Sequence, residues 1–252
     1  MDGLKRPILL SLCLCLWAVA PVQAQVHVAV ASNFLAPMRA LAEEFRAATG
    51  QPVVISAGST GKLYAQIVNG APYDLFYAAS EREPARLEQE GRTVAGCRYT
   101  YAVGILALWA PSGVADEQDP RQALATSSGR LALANPKVAP YGAAAEAVLT
   151  RWGLRDEFNS RIIRGENVAQ AYQFAATGNA QFAFIALAQL VVGADEPPGR
   201  YWAIAEHNHA PIRQQAVMLQ RAEGNADARA FWDYLQSEAA RERITRFGYR
   251  IE

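Results

Sequence analysis

Two short polar stretches carry the residue types best placed for chemistry, Ala31-Ser32-Asn33-Phe34 and Gly58-Ser59-Thr60-Gly61. Each follows an apolar, strand-like run and precedes a run with helical periodicity. Small hydroxyl and amide donors are thereby set at two helix N-termini, beside backbone N–H groups that no intrahelical carbonyl accepts. The helix dipole is positive there, so such a turn can hold an anion without a cationic side chain. Two more helix starts add candidates. Tyr141 follows Asn135-Pro136-Lys137-Val138-Ala139-Pro140 and offers a phenol, and Asn167-Val168 offers the Val168 backbone N–H. Taken singly, each has a plainer reading: Ser32 and Ser59 as N-caps in tight turns, Tyr141 as a half-buried aromatic. The set matters because turns in consecutive strand–helix units face one crevice. The chemistry it points to is oxyanion capture by neutral donors.

Other patterns carry less. Ser56-Ala57-Gly58-Ser59-Thr60-Gly61-Lys62-Leu63 is a broken phosphate loop, with Ser56 at the first glycine position and Leu63 where a Ser or Thr should follow the lysine. His207-Asn208-His209 places two histidines at i, i+2, which is poor metal spacing, and reads as a polar inter-lobe loop. His27 alternates within a strand. No GxSxG, HExxH or Ser/His/Asp arrangement is legible.

The elements that must position these donors are regular. Val26 to Ala31 reads as a buried strand, and Leu35, Met38, Leu41, Ala42 and Phe45 recur at helical spacing up to Gly50. The unit repeats with Val53 to Ala57 leading into Leu63, Tyr64, Ile67 and Val68, then with Asp74 to Ala79 leading into Pro84 to Gly91. This order predicts a parallel sheet covered on both faces. A second alternating block runs through Tyr101 to Trp109, Leu131 to Ala134, a helix from Tyr141 to Trp152, Arg161 to Arg164, a helix from Asn167 to Thr177 and the strand Phe182 to Ile185. The apolar runs Tyr101 to Ala110 and Ile212 to Leu219 are candidate crossings between two lobes. Helices from Asp227 to Leu235 and from Ala239 to Phe247 should return to the first lobe. The division expected is residues 25–103 with 212–252 as one lobe and 104–211 as the other. Ligands of open α/β sheets bind at the carboxyl ends of strands, so the turns after Ala31, Ala57, Ala134 and Arg164 should line the cleft.

Lys5 and Arg6 precede an apolar run from Ile8 to Ala20, and Val22-Gln23-Ala24 closes it in a small-x-small pattern. Residues 1–24 therefore read as a signal peptide, with an exported, soluble mature chain starting at Gln25. Losing Asp2, Lys5 and Arg6 turns the balance of 24 basic and 24 acidic residues into a net charge of −1. That balance argues against nucleic acid or an anionic membrane surface as partner. Cys13 and Cys15 leave with the signal, and Cys97 alone remains, read as a buried small hydrophobe.

With these residues in hand, the chain resembles the periplasmic molybdate-binding protein family, the substrate-binding component of molybdate ABC transporters. The resemblance covers essentially the whole mature chain. Its specific parts are Val28-Ala-Val-Ala-Ser-Asn-Phe34, Gly58-Ser-Thr-Gly-Lys-Leu-Tyr-Ala-Gln-Ile67, Asn69-Gly-Ala-Pro-Tyr-Asp-Leu-Phe76, Asn135-Pro-Lys-Val-Ala-Pro-Tyr-Gly142 and Phe247-Gly-Tyr249. It implies a type II periplasmic binding protein fold: α/β, two-lobed, two mixed sheets flanked by helices with the ligand cleft between lobes. It also implies a monomeric, non-enzymatic, periplasmic protein without cofactor, which closes on molybdate or tungstate and presents it to an ABC permease. Carried over by position, the ligand-binding residues are Ser32, Asn33, Ser59, Thr60, Tyr141 and the Val168 backbone N–H, with no direct metal-ion ligand. Thr60 stands where many relatives have serine. One branch of the family contributes a cleft tyrosine at the position of Ala186, and Tyr141 has the chemistry to serve instead.

The donor set suits fully deprotonated dianions, because none of the four turns places a carboxylate among the expected contacts, although Glu166 precedes Asn167. Phosphate commonly keeps a proton that an acidic acceptor would select, and so ranks low. A binding protein of the same fold for sulfate or another small anion is the alternative. A secreted hydrolase is a distant third, since it needs a general base and only His207 or His209 has a suitable loop location.

Overall fold

Alternation of apolar strands and amphipathic helices builds two five-stranded sheets in the computed structural model, which describes residues 25–114, 119–191 and 198–252. The expected signal peptide, 1–24, lies outside the described residues. The strands are β1 (Val26–Ala31), β2 (Val53–Gly58), β3 (Leu75–Tyr77), β4 (Thr93–Gly104), β5 (Leu106–Ala110), β6 (Leu131–Ala134), β7 (Ile162–Gly165), β8 (Phe182–Ala186), β9 (Arg200–Ala203) and β10 (Ile212–Leu219). The helices are α1 (Leu35–Thr49), α2 (Thr60–Val68), α3 (Arg82–Gln89), α4 (Pro120–Ala125), α5 (Pro140–Trp152), α6 (Val168–Ala176), α7 (Ala188–Val191), α8 (Ala226–Tyr234) and α9 (Glu238–Arg246).

One sheet has the order β2-β1-β3-β10-β4 and the other β7-β6-β8-β5-β9. The strands joined by helices are parallel: β1 with β2 and β3, and β6 with β7 and β8. Each sheet also holds one reversed strand, β10 in the first and β5 in the second. The parallel strands expected from the βα repeat are present, and the reversed strands complete the two mixed sheets that the resemblance implies. A strand arriving directly from the other sheet has no crossover helix to turn it back, and parallel pairing needs such a crossover. The apolar run from Tyr101 to Ala110 is two strands in different sheets, parted at Ile105.

Register sets the site. Val26 pairs with Val53 and so on to Ala31 with Gly58, so β1 and β2 end side by side at Ser32 and Ser59. Leu131 pairs with Ile162 and Ala134 with Gly165, which brings the ends of β6 and β7 together in the same way. Both faces of the first sheet are covered. Val26, Val28 and Val30 pack with Phe34, Met38, Leu41 and Phe45 of the first helical segment and with Phe231, Trp232 and Ile244 of α8 and α9. On the other face Ala29, Phe76 and Val217 meet Leu63, Ile67 and Leu87. The second core gathers Leu106, Leu108, Trp109, Leu133, Val148, Phe182 and Ile185, and Ala31 and Ala79 from the ends of first-sheet strands join it. The two cores thus meet at strand ends. α1 stops where the sequence indicates, because Gly50 takes the left-handed conformation at φ 77° that ends a helix.

Candidate functional site

The turns after β1, β2, β6 and β7 close round one small cavity. Ser32, Asn33, Ser59, Thr60, Tyr141 and Val168 all line it, with Ala31, Gly58, Ala79, Ala139, Pro140 and Asn167. No carboxylate and no cationic side chain is among these residues. The void measures about 10 Å³, the size that holds a single water. A tetrahedral oxyanion is larger, so its admission requires the walls to part.

The hydroxyls are unequal. Ser59 is the N-cap of α2, yet its side chain makes no capping bond, and its Oγ is buried without any hydrogen-bond partner. A buried polar atom left unpaired is costly, and this one belongs to a residue that lines the cavity. Thr60, at the first position of α2, accepts the Ala79 N–H on its Oγ1 at 3.0 Å. That contact consumes a lone pair and leaves the hydroxyl proton to give. Ser32 opens the short 3-10 turn Ser32–Phe34 that runs into α1, and it is partly exposed. Asn33 is buried, and its Nδ2 donates to Gln214 Oε1 at 2.7 Å and to Tyr249 Oη at 3.1 Å. Both amide hydrogens are committed, so the backbone N–H, at a helix start with no intrahelical acceptor, is what Asn33 has to offer an anion.

The second half of the site is built the same way. Pro140 is the first residue of α5, where its missing N–H costs nothing, and Tyr141 follows it. The helix start lies against the end of β6 because Gly142 has no side chain: a Cβ there would sit 2.2 Å from the Ala134 carbonyl oxygen. Tyr141 is fully buried, and burial first, then the neighbouring Tyr249, pushes its phenol well above the usual tyrosine range. It is a neutral proton donor at any physiological pH. Asn167 caps α6 by accepting the Gln170 N–H at 3.0 Å. Val168 is then the first helical residue, and its N–H is among those with no intrahelical partner. At Ala186 the backbone N–H donates to Gln189 Oε1 at 3.0 Å, and the residue is fully buried outside the cavity lining. Tyr141 is the phenol at this cavity.

Contacts across the cleft accompany this arrangement. The Gly61 N–H donates to the Val138 carbonyl at 2.9 Å, an approach that brings an added Cβ on Gly61 to 3.1 Å from Val138 Cα. Lys62 and Glu166 form an ion pair between exposed side chains beside the starts of α2 and α6.

A larger groove of about 570 Å³ adjoins the cavity through Ala79, Ala139 and Pro140. Its wall is mostly alanine and proline, and its charges are mixed, Glu81 and Glu83 with Arg82, Lys137 and Arg213. His207 lies in an exposed 3-10 turn, Glu206–Asn208, and His209 follows it. Neither lines the cavity, and among the described residues no group of His, Cys, Asp and Glu is arranged to hold a metal ion. Cys97 is buried. Sequence reading missed Gln214, which is fully buried in β10 behind the site. The available signal was the polar run Arg213-Gln214-Gln215 near the start of an otherwise apolar strand.

The chain matches the family described as bacterial extracellular solute-binding protein over residues 26–250. It is 45% identical over 238 residues to the molybdate-binding protein ModA of Azotobacter vinelandii, covering 94% of each chain. It is 37% identical to the ModA of Rhodobacter capsulatus, covering 93% of this chain and 92% of that one. The solved structure of the Azotobacter vinelandii periplasmic molybdate-binding protein superposes with a TM-score of 0.85 at 39% identity, over 90% of this chain and 99% of the other.

Proposed function

The chain belongs to the bacterial extracellular solute-binding proteins, in their molybdate-binding branch, and from that premise we propose how it does its work. It is a binding protein for transport, not an enzyme. Molybdate enters the cleft between the two sheets and is held there by neutral donors: the hydroxyls of Ser32, Ser59, Thr60 and Tyr141, and the backbone N–H groups of Asn33 and Val168. Tungstate, with the same shape and charge, enters on the same terms. One observation supports this reading above the others: a cavity lined by donors, free of carboxylates, in which a buried serine hydroxyl has no protein partner. Hydrogen bonds to a charged ligand are about twice as strong as neutral ones, which compensates for the dianion's lost water. Because no fixed cation holds the anion, opening the cleft lets water replace every donor.

Lobe 1 is residues 25–103 with 212–252 and lobe 2 is 104–211, hinged where β4 passes to β5 and where β10 begins. Opening at these crossings admits the anion and closure restores contacts such as Gly61 to Val138. The closed monomer then presents its cargo to an ABC permease in the periplasm, to which the leader at 1–24 directs it.

Thermal unfolding with and without anions tests the reading. If molybdate binds at micromolar strength or better, about a thousandfold excess over Kd adds roughly 4 kcal/mol of stability. For a chain of this size that is a rise in Tm of about 8–16 °C. Molybdate and tungstate should produce it and phosphate should not. A sulfate shift as large as that of molybdate supports the same fold with a different cargo.

A further inference from the structure

The hydrogen-bond cluster behind the cavity has a direction that its heavy atoms dictate. Tyr249 Oη lies 2.8 Å from the Asn33 carbonyl oxygen. A carbonyl only accepts, so the Tyr249 proton goes there. The Tyr249 oxygen is then the acceptor for Asn33 Nδ2 at 3.1 Å, and the second Nδ2 hydrogen goes to Gln214 Oε1 at 2.7 Å. Tyr101 also donates to Oε1 at 3.0 Å, sharing its proton with the Ala78 carbonyl at 3.1 Å. With Oε1 so engaged, it is Nε2 that meets Tyr141 Oη, at 3.4 Å. Tyr141 is an acceptor toward Gln214, and its own proton is shared between the neighbouring Tyr249 oxygen and whatever enters the cavity.

We propose that Gln214 is a positioning residue for anion capture: by donating to the Tyr141 oxygen from behind, it leaves the tyrosine proton available to the ligand. This deepens the oxyanion reading and rests on it. Three observations support it. Gln214 is fully buried and Asn33 nearly so, and burying amides is costly unless their hydrogen bonds are made. The chain spans both sheets, since Tyr101 and Tyr249 pack in the first core and Tyr141 in the second, while β10 carries Gln214 at a crossing. Gly104, at the other crossing, is bare where the two side chains meet. A Cβ there would lie 2.0 Å from Tyr141 Oη and 2.7 Å from Gln214 Nε2. The closing Phe247-Gly248-Tyr249 segment thereby acquires a role: it anchors the first link of the relay.

The test is molybdate titration of the full mature chain as wild type, Gln214→Met, Tyr141→Phe and the double variant, at about pH 7.5. Gln214→Met should weaken binding about tenfold in the wild-type background and less than twofold beside Tyr141→Phe. Equal losses in both backgrounds, or full affinity in a folded Gln214→Met protein, overturn the proposal. A wild type that ignores molybdate overturns the oxyanion reading instead. Should Gln214→Met fail to fold, Gln214→Glu serves. Its carboxylate would take the Tyr141 proton, and its acid form would again donate. Binding by Gln214→Glu should strengthen at least about tenfold from pH 8 to pH 5 while wild type stays flat, and the slope should be clearly smaller in Gln214→Glu with Tyr141→Phe, where only repulsion between the carboxylate and the dianion is left. The titratable groups facing position 214 are Tyr101 from β4, Tyr141 from α5 and Tyr249 from the C-terminal segment, and burial keeps all three neutral across that range. A flat profile in Gln214→Glu, or an equal slope in its double variant, overturns the proposal.

Discussion

Ser59→Ala should move stability and binding in opposite directions. With the cleft closed, Ser59 Oγ is buried and has no protein partner, and it makes no capping bond to α2. The usual cost of losing a serine N-cap, about 1 kcal/mol, is therefore absent. Removing an unsatisfied buried hydroxyl relieves a penalty of about 1–3 kcal/mol, against which stands only a small void. The unliganded variant should melt at the wild-type temperature or higher, by about 2–4 °C for each kcal/mol relieved. With the anion bound, the same hydroxyl donates to a charged oxygen, an interaction of about 1.5–3 kcal/mol. Its loss should weaken molybdate binding roughly 10- to 150-fold. Calorimetric titration and thermal unfolding of the same preparation read both numbers. A variant that melts lower than wild type and binds molybdate within twofold of it would refute the reasoning, because Ser59 would then be an ordinary structural serine.

Thr60→Ala should behave differently, since it strands the Ala79 N–H as well. It should lower stability by about 1–3 kcal/mol and weaken binding together, both visible in the same two experiments. Ser32→Ala, at a partly exposed hydroxyl, should cost about 1.5–3 kcal/mol of binding with an unchanged melting temperature. Gly104→Ala places a methyl 2.0 Å from Tyr141 Oη and should reduce affinity by more than about tenfold with the fold retained by circular dichroism, since strain at a crossing can be relieved by opening the cleft. Burial raises the phenols of Tyr77, Tyr99, Tyr101, Tyr141 and Tyr249 above their ordinary value. The folded state then holds protons that the unfolded state releases near pH 10. That stability is complete below about pH 10 and is lost as pH rises toward the folded values, so the melting temperature should fall steeply there. A melting temperature flat to about pH 11.5 would contradict the burial of these hydroxyls.

Much of this was legible because the signals were local. The βα periodicity from Val26 to Gly91 located three strands and their helices, and the small polar residues at 32–33 and 59–60 marked two of the four turns that the registers of β1 with β2 and β6 with β7 bring together. The run from Tyr101 to Ala110 showed an apolar crossing, but not that Ile105 divides it between two sheets, since strand direction depends on partners far away in sequence. β9, Arg200–Ala203, carries no apolar alternation and was invisible for that reason. Asn33 was recognised by type, whereas the commitment of its amide to Gln214 and Tyr249 rests on residues 181 and 216 positions away. Gln214 itself was hidden because one polar side chain in a strand has meaning only when its neighbours are known. The resemblance supplied the cargo, since a donor cavity by itself does not separate molybdate from sulfate.

Calorimetric titration of the mature protein with molybdate, followed by tungstate, sulfate and phosphate at neutral pH, addresses the central claim most directly. One-to-one binding of molybdate and tungstate, at least about a hundredfold tighter than sulfate and with no heat from phosphate, is the result that the molybdate reading predicts. Sulfate bound as tightly as molybdate, or no heat from any of the four, would contradict it.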